Sequence, residues 1–286
     1  MRPALAATAL ALLFAGTACG QRSEPTGPAV RVFPVTVQGV AEGPTVVAKA
    51  PQRIVPLGPG PRQILRALGL GNRIVTVDDS LVGLPLVGQI RKAHPDLIVA
   101  SSSADPLDLA RARSATHAAV YVTPESSLAD IERGIGDIGL LTGRPVVARQ
   151  VAAGIESTRN RIAAKLSGSP VVRTFVDLGD FATVGSRGLI GDIVSDARGS
   201  DVAGPSPEQG PFPLKRLAQL DPKAYVVVST NGPTLTQLRA NRLTKKLAAV
   251  RSGRFGVVPA RLVQPGPNVG KALVTIAHIL HPDAFS

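Results

Sequence analysis

The sequence predicts an α/β protein: two three-layer lobes, each with a parallel sheet, joined by one long backbone helix. Three observations predict it. Short β-branched runs alternate with helical segments up to residue 125 and again after residue 169, the pattern of parallel sheets covered on both faces. Between these halves, Leu128, Ile131, Ile135, Ile138 and Leu141 recur every three or four positions, a helix period. After the break at Thr142-Gly143, Pro145 suits the first turn of a further helix, where its missing N–H is not needed. Running to about Leu166, that helix spans ~33 Å at the usual rise per residue. It is long enough to cross from one half to the other.

Taken in order, residues 1–18 read as a secretory signal peptide. Arg2 is their only charge, an apolar run extends from Ala4 to Ala15, and small residues Gly16-Thr17-Ala18 precede a cut site. That run of about 12 residues is shorter than the ~20 a membrane span needs. Cys19, the single cysteine of the chain, follows directly and resembles the lipobox cysteine of bacterial lipoproteins, although Gly16 stands where that pattern prefers Leu. Acylation there would make Cys19 the first mature residue and anchor the protein on the membrane. The alternative is a secreted protein with a cysteine near its cut site. Residues 19–29 are a polar, Gly- and Pro-containing tether.

The first lobe is expected over residues 30–125. It opens with short strands at Val30–Val37 and Pro44–Ala48, then strands at Arg53–Leu57, Arg73–Val77, Asp96–Ala100 and Ala118–Val122, with helices at Pro61–Leu68 and Asp105–Ser114. Linking helices fill residues 126–168, and Gly168–Pro170 ends them. The second lobe, residues 169–286, carries strands at Val171–Leu178, Tyr225–Ser229 and Phe255–Pro259. Its helical segments are Gly188–Ala197, Leu214–Leu220, Leu235–Val250 and Val269–Leu280.

Composition narrows the function. Removing the leader leaves 268 of 286 residues and lowers the net charge from +12 to +11, ample chain for one large domain or two lobes. Without a second cysteine no intrachain disulfide exists, so packing alone holds the body. The 32 Lys and Arg are dispersed without a basic run or recognition motif, which argues against nucleic acid. An anionic membrane surface or an anionic small ligand remains. Aromatics are 3% of the chain and Trp is absent, which counts against a large planar ligand.

The segments also resemble a known family. PQRIVPLGPGPRQILRALGLGNRIV at Pro51–Val75, HPDLIVAS at His94–Ser101, TVGSRGLIGDIVSDARGSDVA at Thr183–Ala203, LKRLAQLDPKAYVVVS at Leu214–Ser229 and the closing LHPDAF at Leu280–Phe285 are similar, in family order, to the periplasmic substrate-binding proteins for iron-siderophores, haem and cobalamin. The resemblance covers residues 30–286. It implies a ligand cleft between the lobes and delivery to an ABC-type permease; binding without covalent chemistry, no cofactor and a monomer are the accompanying expectations. It also implies docking acids ahead of two strands, where this chain has VGQIRKAHPDL and, in the second lobe, Lys215; either docking uses other carboxylates, such as Glu208 or Asp221, or the protein does not serve an ordinary permease.

Ligands of open α/β sheets sit beyond the carboxyl ends of the strands. That rule nominates Gly58, Pro59, Gly60 and Arg62, Asp79, Ser102 and Thr123 from the first lobe. From the second it nominates Phe181, Ser186, Arg187, Asn231 and Asn268. Arg62 and Arg187 carry the chemistry: a guanidinium fork suits carboxylate, catecholate or hydroxamate oxygens, with helix N–H groups behind it. Each is otherwise a solvated arginine at a loop tip. Gly58-Pro59-Gly60-Pro61 lets backbone approach a ligand, or is a stiff strand-to-helix turn. Phe181 and Tyr121 read more readily as core. His278 and His281 lie remote from these loops, and His94 and His117 precede their strands, so no metal site is expected. No nucleophile elbow or Walker loop occurs, and no enzymatic activity is expected.

Overall fold

The structure, a computed structural model, describes residues 33–40, 43–205, 211–229 and 231–286. The signal peptide, Cys19, the tether, Val30–Val32, Glu208 and Thr230 lie outside the described residues. From Phe33 onward the described residues form one compact unit.

A short antiparallel hairpin opens it, β1 (Val35–Val37) on β2 (Thr45–Val47). Then come β3 (Ile54–Leu57), α1 (Pro59–Ala67), α2 (Gly83–Ala93), β4 (Leu97–Ala100), α3 (Pro106–Thr116) and β5 (Ala119–Val122). The sheet is parallel in the order β3-β4-β5, with Ile54 beside Leu97 and Leu97 beside Ala119. Every residue of β3 and β4 is buried, as a strand covered on both faces requires.

Two helices follow, α4 (Leu128–Thr142) and α5 (Pro145–Lys165). Ser127 caps α4 by accepting from the Asp130 N–H, and Gly143 closes it in the left-handed conformation at φ 71°. A Cβ on Gly139 would lie 2.2 Å from the Ala148 Cβ. Only glycine permits these two helices to meet so closely.

The second lobe comprises β6 (Val172–Asp177), α6 (Gly188–Asp196), β7 (Gly199–Asp201), α7 (Leu214–Leu220), β8 (Ala224–Val227), α8 (Leu235–Ala240), α9 (Ala248–Ser252), β9 (Phe255–Val257) and α10 (Val269–Leu280). Its sheet runs β7-β6-β8-β9, all pairs parallel. One face packs against α6 and α10, and α5 packs on these two helices. The opposite face is covered by α7, α8 and α9, through Leu217, Leu238 and Val250.

A continuous apolar core runs from Leu97 and Tyr121 of the first sheet, through Ile135 of α4 and Ile155 of α5, to Ile193 and Leu273 of the second lobe. Polar ties reinforce the same path. Arg159 of α5 donates to Asp196 of α6 at 2.8 Å and lies 3.6 Å from Glu132 of α4. The Leu128 N–H donates to Asp192 of α6 at 2.7 Å.

Three expectations need correction. Arg73–Val77 is not a strand: Gly71–Arg73 is a 3₁₀ turn, and only an isolated bridge joins Ile74 to Ile54. The chain then leaves that edge because Asp79 is drawn over the end of β3 by the Gly58 N–H. Leu235–Val250 is not one helix either. The Asn241 side chain accepts from the Leu243 and Thr244 N–H groups and ends α8, and a 3₁₀ turn, Thr244–Lys246, separates it from α9. Finally, α2 and β7 arise where no element was expected.

Candidate functional site

The nominated loops lie where the parallel strands end: Gly58–Arg62 after β3, Ser101–Ser103 after β4, Thr123–Glu125 after β5, Gly179–Arg187 after β6, Asn231–Pro233 after β8. In the first lobe, Gly58 takes φ 104°, and a Cβ there would lie 3.0 Å from that of Ser101. Both facts restrict the position to glycine. The Gly58 N–H and an Arg62 Nη both donate to one oxygen of Asp79, at 2.9 and 3.0 Å. Asp79 therefore pins the turn and matches the charge of Arg62. The Arg62 Nε is buried without a partner among the described residues.

Next to this, Glu125 gathers the other two loops. Ser101 and Ser102 hydroxyls donate to one of its oxygens at 2.7 and 2.9 Å, and Thr123 donates to the other at 2.6 Å. Thr123 itself is buried. Asp78 is held by Ser80, whose hydroxyl and N–H donate to it and keep its carboxyl below the usual range. A hollow of about 170 Å³ opens among Gly58, Asp79, Ser101 and Ser103.

The second lobe is organised by a buried acid. Asp177 ends β6 and accepts from the Tyr225 hydroxyl at 2.5 Å, the Gly179 N–H at 2.8 Å and the Phe181 N–H at 3.2 Å. Burial raises its carboxyl above the usual range, and these donors pull against that rise. The turn it holds has three consecutive positive φ angles: 113° at Gly179, 50° at Asp180 and 62° at Phe181. For side chains other than glycine such backbone costs about 1–3 kcal/mol per residue and persists where surrounding contacts impose it. Phe181, half-buried, packs on the outer core. A hollow of about 290 Å³ opens beside Asp180, Phe181, Asn231 and Gln237.

Arg187 stands just ahead of α6, exposed, with no carboxylate paired to it among the described residues. The preceding Ser186 is fixed through its N–H to the Gly204 carbonyl at 2.9 Å, and a Cβ on Gly191 would lie 2.3 Å from the Ser186 carbonyl. The fork is thus carried on rigid backbone.

The lobes meet at one edge of this region. A Cβ on Gly60 would lie 2.2 Å from the Pro265 carbonyl oxygen. Gln63 of α1 donates to Gln264 at 2.5 Å and accepts from Asn268 at 3.0 Å. Gly60 and Asn268, nominated as ligand contacts, are placed in this contact between lobes, whereas Arg62, Asp79, Ser102 and Arg187 retain exposed or half-exposed surface. Gln63, Glu125 and Asp177 escaped sequence reasoning as individual residues. Only Glu125 carried a signal, as the last residue of a strand-end loop.

Other candidates fall elsewhere. Tyr121 and Tyr225 are fully buried, their hydroxyls donating to Asp137 and Asp177. His94 and His117 cap α2 and α3 in left-handed backbone, His278 stacks on Phe285, and His281 is buried against the Ala197 carbonyl. A roomier hollow of about 660 Å³ lies between β9 and α10 and touches none of the strand-end loops.

Two parallel-sheet lobes joined through the helices α4 and α5 are the architecture of a two-lobed binding protein. The chain belongs to the periplasmic binding protein family, whose profile matches residues 82–262. It is 23% identical over 307 residues to the uncharacterized ABC transporter substrate-binding lipoprotein YvrC of Bacillus subtilis, covering 99% of this chain and 96% of that one. The fold is similar to that of CeuE of Helicobacter pylori with Ni(II) bound, at a TM-score of 0.76 and 15% identity over 88% of this chain and 90% of the other. The vitamin B12-binding protein BtuF of Vibrio cholerae matches at 0.68 and 19%, over 82% of this chain and 98% of that one. The haem-binding protein RhuT of Roseiflexus sp. RS-1 matches at 0.69 and 18%, over 82% and 99%.

Proposed function

We propose that this protein, anchored through an acylated Cys19 on the outer face of the cell membrane, captures an anionic iron chelate between its lobes and passes it to an ABC importer. The ABC assignment rests on the family and on the lipoprotein relative. The ligand class rests chiefly on Arg187, an exposed guanidinium ahead of α6 whose charge no carboxylate matches among the described residues. Its fork fits the oxygens of a chelate. Arg62, already matched by Asp79, adds orientation more than net attraction. Asn231, exposed in the loop after β8, is a further candidate contact in this reading, whereas the Ser102 hydroxyl is already engaged by Glu125.

Haem or cobalamin is the alternative within the same fold. Against it stand the two tyrosines, sealed in the core with engaged hydroxyls, and the placement of all four histidines away from the strand-end loops. Phe181 is the one aromatic side chain there. A second alternative is an envelope scaffold without transport. It is favoured by the exposed Lys215 where the family resemblance implies an acid, and by the engagement of Asp221 with Lys223 at 2.9 Å.

Thermal-shift screening against ferric citrate, ferric hydroxamates and catecholates, haem and cobalamin tests the reading. We expect stabilisation by an anionic ferric chelate, lost in Arg187→Ala and reduced in Arg62→Ala. A shift with haem together with a Soret band would replace it by the haem reading. A chelate shift untouched by either substitution would remove both arginines from the site.

A further inference from the structure

Between Asp221 and Asp283 the chain holds no Asp or Glu and nine Lys and Arg. The fold gathers much of this charge on one side of the second lobe. Arg239 on α8, Arg242 after it, Lys245 and Lys246 on the 3₁₀ turn, and Arg251 on α9 are all exposed. These three short elements pack on one another, and α7 packs beside the same turn, adding exposed Lys215 and Arg216. An Arg239 Nη reaches to 3.9 Å from where a Cβ on Gly253 would stand, which brings it to the end of α9. Among the described residues no carboxylate lies within ion-pair distance of any of these seven. The one acid of the layer, Asp221, is taken by Lys223 and by the Ala248 N–H. This layer covers the face of the sheet opposite the strut, so its charge is not needed to hold the lobes together.

We propose that the α7–α9 layer is a docking surface for anionic phospholipid headgroups, which sets the orientation of the tethered body on its membrane. Charge complementarity identifies the occupant. A protein partner would ordinarily require buried aromatic or aliphatic anchors at the centre of the contact. None of the exposed large apolar side chains lies between Leu214 and Ser252: those nearest in sequence are Val184 and Val257. Phe212, the aromatic residue beneath Arg216, is buried. A layer of mobile cations without an apolar centre suits a fluid, laterally adaptable anionic surface.

The test is co-sedimentation of the full chain carrying Cys19→Ser, so that no acyl chain contributes, with phosphatidylcholine vesicles with and without phosphatidylglycerol. The leader, with Arg2 and the N-terminal amine, is common to all the proteins compared, so its contribution cancels between the variants. We compare a patch variant (Arg242→Gln, Lys245→Gln, Lys246→Gln, Arg251→Gln) with a control of equal net charge in the first lobe (Arg66→Gln, Arg91→Gln, Lys92→Gln, Arg113→Gln). All eight residues are exposed, and thermal melts verify that both variants fold. The patch variant is expected to lose the phosphatidylglycerol-dependent binding by roughly tenfold or more, while the control retains most of it, and added salt is expected to release the parent protein. Equal losses in the two variants would reduce the effect to net charge and overturn the proposal. So would unchanged vesicle binding by the patch variant, including the case in which that variant instead loses an acidic protein partner.

Discussion

Asp201 illustrates how far one buried group reaches. It ends β7 with a residue exposure of 6%, one oxygen accepting from the Ala203 N–H at 2.8 Å. Burial pushes its carboxyl up to about 6 from 3.8, against the pull of the Ala203 and Val176 N–H groups. Because the folded value is the higher one, the folded state holds the proton more tightly than the unfolded chain. The stabilisation from the neutral form is complete below about pH 4 and is lost as pH rises through about 6. Asn at this position keeps an acceptor for Ala203 and removes the buried charge. Chemical denaturation should therefore find Asp201→Asn similar to the parent near pH 4 and more stable by up to about 3 kcal/mol near pH 8. A constant difference across that range would remove the carboxyl from the account.

At the scale of elements, the contact between α1 and the loop before α10 decides how the two sides of the cleft sit. Gly60 leaves no room against Pro265, and Gln63 spans Gln264 and Asn268. Gly60→Ala forces a methyl group into a carbonyl oxygen, and the loop is more easily displaced than the helix. Small-angle scattering is expected to show a wider particle for Gly60→Ala, and a weaker effect for Gln63→Ala, which only deletes two hydrogen bonds of about 1 kcal/mol each. An unchanged scattering curve for both would mean that the strut alone fixes the spacing. None of this was legible in the sequence, since Gln63 and Gln264 are 201 positions apart and no local pattern couples them. Local patterns were legible. The period at Leu128–Leu141 gave α4, Pro145 gave the start of α5, and buried β-branched runs gave β3 to β6 and β8. The hydroxyls around Glu125 and the Asp177–Tyr225 pair were hidden for the same reason as Gln63: each joins strands separated by a crossover. The helix α2 was missed although Leu86, Ile90 and Ala93 follow a helix period; Gly83 and Pro85 at its start masked it, and its first N–H is met from outside by Asp108 at 2.6 Å.

For the whole molecule, the question is whether two sheets make two independent folding units. The apolar core answers no, because it continues from the first sheet through α4 and α5 into α6 and α10 without an intervening polar layer. Arg159 ties Glu132 and Asp196 across the same path, with burial raising the Glu132 carboxyl and the guanidinium opposing that rise. Separating the lobes would expose Ile135, Ile155 and Ile193 to water, at roughly 2 kcal/mol for each large side chain. Gly139 lies within this core at the crossing of α4 and α5, so adding bulk there loads both lobes at once. Calorimetry of the parent is expected to show one transition with equal calorimetric and van't Hoff enthalpies. Gly139→Val should lower its midpoint while leaving it single, by an overpacking penalty of about 1–3 kcal/mol. A second transition, in either protein, would mean that the lobes melt separately and that the strut is a linker between domains. A single transition in both would mean that the element joining the lobes is itself part of the core that holds them.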